Sequence, residues 1–363
     1  MMKKAYVVLA VLFAVLVSVM CAAAEDTITI VDHAGNEVTL PSEIKRIAVA
    51  DIFPIPSVLA VFFDSADKIV GIAPQAMAAA KNGLLSELYP EILNADTGWT
   101  DGTNVNVEEL AKLEPDVVIY SAGNAVNGDV LRDAGFNAVG ISAGKWGYNA
   151  IETLNQWIDL LSQMFPENDR AEKVRAYSEQ VYAEVRERVE TLSDDQKEKV
   201  FFLFQYNDST ITTSGAKFFG QWWADAINAI NVGGEMETEM STAVNLEQVY
   251  AWNPDRILIT NFNTATPDDL YNNTVGSYDW SGINAVIDHK VSKMPLGMYR
   301  SYTCGVDTPV TLLWMAKTVY PELFEDIDII EEAKAYYNEV FGITLTDDQA
   351  ASIFAPAAEA SAF

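Results

Sequence analysis

The sequence predicts an α/β protein of two Rossmann-like lobes with mainly parallel sheets, joined by a single long α-helix with a ligand cleft between the lobes. Three observations predict it. The chain has 363 residues, too long for one ordinary core and too short for three. The segment Val105 to Ile119 lines up without gaps on Val244 to Leu258, at a constant offset of 139 residues. Between the copies, Ala171, Val174, Tyr177, Val181, Val185, Val189 and Leu192 recur in steps of three or four, the spacing of one helix face.

Composition sets the outer limits. Half of the residues are hydrophobic and 11% aromatic, enough apolar material to fill substantial cores despite the charge. Lys plus Arg is 23 against Asp plus Glu 52, a formal net charge of −29, which repels polyanions and argues against nucleic acid as a partner. With two Cys and two His in all, zinc ribbons and multi-His metal sites have almost no ligands to draw on.

At the N-terminus, Lys3 and Lys4 precede an uncharged run from Ala5 to Ala24 that ends in Cys21-Ala22-Ala23-Ala24. Residues 1–24 read as an export signal with a small-residue cleavage site. A run of this length is also long enough to remain as a membrane anchor, and Cys21 offers a site for lipid attachment. Cys304 is the other cysteine, so a cleaved chain has no intramolecular disulfide.

The first lobe is expected over 25–168. Its strand candidates are Arg46–Ala50, Lys68–Ile72 and Ala138–Ile141, short apolar segments separated by helical stretches, which imply parallel βαβ connections. The repeat supplies the same unit to each lobe. Asn106 and Asn245 are N-cap candidates, Glu109 and Gln248 stand three residues later, and Pro-Asp stops each short helix before an apolar strand. The connecting helix is expected over 169–192, roughly 36 Å long. The second lobe is expected over 193–349 with strands at Val200–Phe204 and Ile257–Ile259, followed by an Ala-rich tail over 350–363 that receives no role.

The order of these segments resembles that of a known family, the substrate-binding proteins of ABC importers for iron chelates, haem and cobalamin. The resemblance is carried by the opening hairpin Ile28 to Pro41, by Lys45-Arg46-Ile47-Ala48-Val49, and by both copies of the repeat. Leu131 to Gly140, the Thr213-Ser214-Gly215 turn, Val291 to Pro295 and Thr308 to Phe324 extend it. Tyr336 to Asp348 is most similar to the branch that carries iron complexes. The resemblance implies an exported, non-catalytic protein, periplasmic or on the outer face of the cytoplasmic membrane. It implies delivery of a bound metal chelate to an ABC permease and ATPase complex, with no covalent cofactor. Ferric siderophore is the first expectation, cobalamin the second and haem the third; a surface sensory or adhesion module on the same fold is the alternative. It also implies that one exposed glutamate per lobe docks to the permease, and the matching positions are Glu108 and Glu247.

Ligands of open parallel sheets gather beyond the carboxyl ends of the strands. That rule selects Asp51–Pro56, Ala73–Lys81, Ser121–Asn127 and Ser142–Asn149 in the first lobe. In the second it selects Gln205–Ser209, Ser214–Trp223, Asn261–Thr264 and Leu296–Tyr302. The aromatic candidates there are Trp146, Tyr148, Tyr206, Phe218, Trp222, Tyr299 and Tyr302, whose faces cover large ligand area at low entropy cost. The basic candidates for an anionic chelate are Lys81, Lys145, Lys217 and, foremost, Arg300, whose planar fork suits carboxylate, hydroxamate or catecholate oxygens. His33 and His289 read as turn residues, so any metal is expected to arrive already wrapped. No Gly-x-Ser-x-Gly elbow or Gly-rich phosphate loop with Lys occurs, which argues against an enzyme.

Overall fold

The computed structural model describes residues 26–166 and 170–361. The export segment expected over 1–24 with Cys21, the helix start at Asp169 and the last two residues of the tail lie outside the described residues.

The chain opens with the antiparallel hairpin β1 (Thr27–Val31) and β2 (Glu37–Pro41), whose turn places Gly35 at φ +89, a backbone region that suits glycine. The first lobe then runs β3 (Ile47–Val49), α1 (Ile55–Phe63), β4 (Ile69–Ile72), α2 (Pro74–Lys81), α3 (Leu84–Leu88), α4 (Val107–Ala111), β5 (Val117–Ser121), α5 (Ala125–Asp133) and β6 (Ala138–Ile141). Helices α6 (Ala150–Met164) and α7 (Arg170–Val189) follow. The second lobe contains β7 (Lys199–Leu203), β8 (Tyr206–Asn207), β9 (Thr210–Ser214), α8 (Phe219–Ala226), β10 (Ile230–Asn231), β11 (Ser241–Val244), α9 (Leu246–Trp252) and β12 (Arg256–Ile259). It continues through α10 (Pro267–Tyr271), α11 (Asn284–Ile287), β13 (Val291–Lys293), α12 (Thr308–Val319), α13 (Ile329–Tyr336) and α14 (Asp347–Phe354).

Two four-stranded parallel sheets have corresponding orders, β4-β3-β5-β6 and β10-β7-β12-β13. Both are covered on two sides, so alternate residues of one strand enter different cores. Ile47, Val49, Val117 and Ile119 face a central core, and Val200, Phe202 and Leu258 of the second sheet face that same core. Ala48, Val118 and Tyr120 face an outer layer of the first lobe, and Phe201, Leu203, Ile257 and Ile259 an outer layer of the second. The lobes therefore share one apolar interior, with α1, α6 and α12 contributing to it. Helix α7 buries Val174, Val181, Val185 and Val189 and packs against α6 and α12.

The repeat forms as its sequence dictates. The Asn106 side chain accepts from the amides of Glu108 and Glu109, at 3.1 and 3.2 Å. The Asn245 side chain accepts from Gln248 at 2.7 Å. Both caps satisfy amides that a helix start leaves without partners.

Three expectations need correction. Ala73–Lys81 is not a loop: Pro74 opens α2, and Ala76, Met77, Ala79 and Ala80 are buried along it, because proline suits a first helical position and alanine propagates a helix. Thr213-Ser214 does not form a turn; it ends β9, the centre of a small antiparallel sheet β11-β9-β8. The tail is also not separate from the fold. Thr346 and Gln349 form a capping box, α14 begins before residue 350, and Ala350, Ile353, Ala360 and Ser361 are buried.

Candidate ligand-binding cleft

Between the lobes lies an opening of about 570 Å³, lined by Ser121, Gly123, Ser142 to Gly144, Gly147 and Tyr148 from the first lobe and by Ala216, Lys217 and Glu239 from the second. The first-lobe wall consists of the loops that leave β5 and β6. Asp51, just beyond β3, accepts from the Ser121 amide at 2.7 Å and from the side chains of Asn124 and Asn127 at 2.7 and 2.9 Å. One carboxylate thus fixes the whole Ser121–Asn127 loop.

The β6 loop is held from the hairpin turn. The Ser142 amide donates to His33 Nδ1 at 3.2 Å, and Lys145 Nζ donates to the His33 carbonyl at 3.1 Å. Burial, with the Lys145 charge added, lowers the His33 pKa to about 4, so the ring stays neutral and its Nδ1 remains an acceptor. Trp157 in α6 donates its indole N–H to the Ser142 carbonyl at 2.7 Å. At the end of the loop Gly147 and Tyr148 both take left-handed backbone, φ 62 and 59, uncommon for a non-glycine residue and a mark of constrained sites. That twist carries Tyr148 across the cleft. Its hydroxyl donates to the Glu239 carbonyl at 3.2 Å, and its ring meets Phe218 and Phe219 edge-on at 5.1 and 4.9 Å.

The second-lobe wall rests on the small antiparallel sheet. The amides of Ala216 and Lys217 donate to Met236 and Thr238 carbonyls at 2.8 and 3.0 Å. A side chain on Gly215 would come within 2.1 Å of Thr238 Oγ1, so only glycine lets the two segments approach this closely. Lys217 pairs with Glu237 at 3.2 Å, with both side chains more than half exposed; such a pair is weak and leaves the ammonium available.

The candidate residues sort into three groups. Tyr148 and Lys217 line the opening, and Phe218 backs it through Tyr148. Trp146 stands beside it, edge-on to His33 at 4.9 Å with Lys145 Nζ 5.8 Å above its ring. Trp222 is half-buried against Trp223, and Lys81 is exposed at the end of α2.

The others lie away from the opening. Tyr206 belongs to the outer core of the second lobe, where Trp280 donates to its hydroxyl at 2.8 Å; the short strand β8 turns it there. Tyr299, Arg300 and Tyr302 are 4%, 1% and 0% exposed. The Arg300 guanidinium lies 5.2 Å over the Phe262 ring, and the Tyr302 hydroxyl accepts from the Gly220 amide at 3.1 Å. The loop carrying them is drawn inward by Asp307, which accepts from the Met298 amide at 2.8 Å and from the Tyr337 hydroxyl. Burial raises the Asp307 pKa to about 6.

Sequence reasoning selected the loop that begins at Asp51 without singling out its carboxylate, read His33 only as a turn residue, and passed over Trp157 and Glu239, which act from neighbouring elements. Glu108 and Glu247 are exposed in the first turns of α4 and α9. Among the described residues no group of three or more His, Cys, Asp or Glu is placed to hold a metal ion, and no helix is long and apolar enough to cross a membrane.

Comparison with known proteins adds the following. Residues 60–296 match the family model described as periplasmic binding protein. The molybdate-binding protein MolA of Haemophilus influenzae is 26% identical over 89% of this chain and 93% of its own. The crystal structure of a periplasmic solute binding protein from Veillonella parvula superposes with a TM-score of 0.79 at 30% identity, covering 91% of this chain and 97% of that one. CeuE of Helicobacter pylori, solved as a Ni-His complex, shares the fold with a TM-score of 0.73 at 22% identity over 91% of this chain and 99% of its own.

Proposed function

This chain belongs to the periplasmic binding protein family, and we propose that it captures a compact, oxygen-rich anion in the interlobe cleft and hands it to an ABC permease. Its kind is the extracytoplasmic substrate-binding protein of an ABC importer, which is not an enzyme. One observation carries the anion: three loops at the opening, Ser121–Asn124, Ser142–Asn149 and Gly215–Phe218, each lead directly into the N-terminus of a helix, α5, α6 and α8. Helix N-termini present amide N–H groups and a partial positive charge, and Lys217 adds a full one. The hydroxyls of Ser121 and Ser142 supply further donors.

Size does not separate the candidates: the opening of about 570 Å³ is in the range of pockets for small organic ligands, so it takes a tetrahedral oxyanion with room to spare and admits a small anionic chelate. The molybdate-binding relative fits this class. A ferric siderophore is the second reading, favoured by the aromatic wall of Tyr148 and Phe218. The shared interior of the two lobes limits closure to a small movement on binding.

Titration of the purified protein against molybdate, tungstate, sulfate, ferric siderophores, haem and cobalamin tests the reading, with Trp fluorescence as the signal. A saturable one-to-one response to a compact oxyanion is expected. Lys217→Ala should weaken it by about tenfold, the lower end for a charge-assisted bond because the side chain is partly exposed. Binding of cobalamin or haem with no response to any small anion defeats the proposal.

For docking, Glu108→Ala combined with Glu247→Ala is expected to abolish transport and ligand-stimulated ATP hydrolysis in a reconstituted importer. Ligand affinity should hold and stability should fall by no more than about 1 kcal/mol per helix end. Normal transport would reduce both residues to helix-end electrostatics.

A further inference from the structure

We propose that residues 347–361 are an intramolecular stopper that fills one half of the interlobe cleft and thereby sets the upper size of the ligand. The proposal rests on the reading that ligand enters this cleft. It starts from an asymmetry between equivalent loops. Strands β6 and β13 hold the same place in their sheets, and the loop after β6 lines the opening. The loop after β13 does not. Leu296, Met298, Tyr299 and Arg300 are 3%, 1%, 4% and 1% exposed, although the carboxyl end of a parallel strand is where ligand-facing loops emerge.

The C-terminal segment packs beside that loop. The Leu296 amide donates to the Ile353 carbonyl at 2.8 Å, and Asn261, just beyond β12, donates to Ser361 Oγ at 3.4 Å. From the first lobe, Asn82 at the end of α2 donates to the Glu359 carbonyl at 3.4 Å. The segment therefore touches both lobes, and Ala360 and Ser361 are fully buried where it does so. Its root is secured by the Thr346 capping box and by Lys334, whose Nζ lies 2.7 Å from Asp347.

On the same side the lobes also meet directly, the Leu84 amide donating to the Gly297 carbonyl at 3.1 Å. What lies buried there has ligand-binding character: a guanidinium over an aromatic face, at the carboxyl end of a sheet in an interlobe cleft. A charged side chain is expensive to bury, and a loop serving packing alone has no need of one. Withdrawing the segment would join the Arg300 half to the Tyr148–Lys217 half and enlarge the site.

Two variants test this, a chain ending at Thr346 and the full chain with Ala360→Trp, whose ring has no room at a fully buried position. The first readout needs no ligand: modification of Arg300 by phenylglyoxal, followed by peptide mass. Reactivity is expected to rise at least about tenfold in both variants as the covering segment leaves. The second is binding of haem, a bulky anionic chelate, expected to gain at least about tenfold, while molybdate affinity stays within about threefold.

Arg300 remaining protected in folded variants overturns the proposal. Arg300 becoming reactive with haem affinity unchanged overturns it as well, since the segment would then cover without selecting. Failure of the parent reading is seen separately, in unmodified protein that binds none of the small anions, and leaves the phenylglyoxal result interpretable. Should the shortened chain fail to fold, Ala360→Trp gives both readouts alone.

Discussion

In the first lobe Asp116 accepts the amides of Lys45 and Arg46 at 2.7 and 2.9 Å, and the Arg46 guanidinium returns to the carbonyls of Leu113 and Glu114. In the second lobe, 139 residues on, Asp255 accepts the amide of Lys199 at 2.9 Å, and Lys199 Nζ returns to the carbonyls of Trp252 and Asn253. The left-handed residues match too, Glu114 at φ 45 and Asn253 at φ 43. Each repeat thus ends in a carboxylate that clamps the entrance of its lobe's central strand.

The other ends of the sheets differ. The β6 loop is held open around a pocket by His33 and Trp157. The β13 loop is pulled inward by Asp307 and covered by the C-terminal segment. The lesson is that the repeat preserves the amino ends of the strands, where the lobe is built, and leaves the carboxyl ends, where the proposed ligand site lies, free to diverge.

The sharpest way to break this division uses two tryptophans. Trp157 donates to the Ser142 carbonyl and Trp223 to the Tyr302 carbonyl, at 2.7 and 2.8 Å, and both are fully buried. Replacing either by Ala is expected to cost about 3–5 kcal/mol in chemical denaturation. Only Trp157→Ala should also weaken ligand binding. Equal loss of affinity in both variants would mean that the second loop is part of the site.

A smaller effect is expected from the clamps. Asp116→Ala and Asp255→Ala should each cost about 1.5–3 kcal/mol, the range for hydrogen bonds to a charged group. The first should cost more, because two amides lose their acceptor rather than one. Equal costs would show that the clamps act through charge and not through the amides they hold.

The smallest effect is in pH dependence, where the two loops should respond with opposite sign. The His33 pKa falls to about 4 on folding from an ordinary 6.5, so its contribution is present above pH 6.5 and is lost as pH drops through 4. The Asp307 pKa rises to about 6 from 3.8, so its contribution is full below 3.8 and is lost as pH climbs through 6. Between pH 7 and 5, His33→Asn should remove on the order of 1 kcal/mol of acid destabilisation, discounted for the part exposure of the ring. Asp307→Asn should remove an acid stabilisation instead. Parallel pH profiles of the two variants would erase the contrast.

Much of the scaffold was legible because its signals are local. Asn106 and Asn245 cap helices through amides two or three residues away, and the Pro-Asp stop follows from backbone geometry. The apolar spacing along α7 is a property of one helix. The loops after β5 and β6 were legible as candidates because strand direction alone sends them beyond the carboxyl edge of the sheet, and Tyr148 and Lys217, both named as candidates, line the opening.

Which aromatic or basic residue faced the opening was not legible. Tyr206 has the composition of a ligand contact, and a two-residue strand turns it onto Trp280. Arg300 has the chemistry of an anion ligand, and a carboxylate seven residues on, with a segment some fifty residues away in sequence, decides that it is buried. The role of His33 depends on Ser142, far along the chain, meeting its Nδ1.

By itself, then, the sequence determined the two α/β lobes, the repeated helix–turn–strand unit and the connecting helical stretch, since each depends on residues within a turn or a strand of one another. The tertiary structure alone decided the size of the opening, the burial of the Leu296–Tyr302 loop and the use of the C-terminal segment. Those outcomes depend on which distant segments win the space at the ends of two sheets, and that competition is settled by packing across the whole molecule.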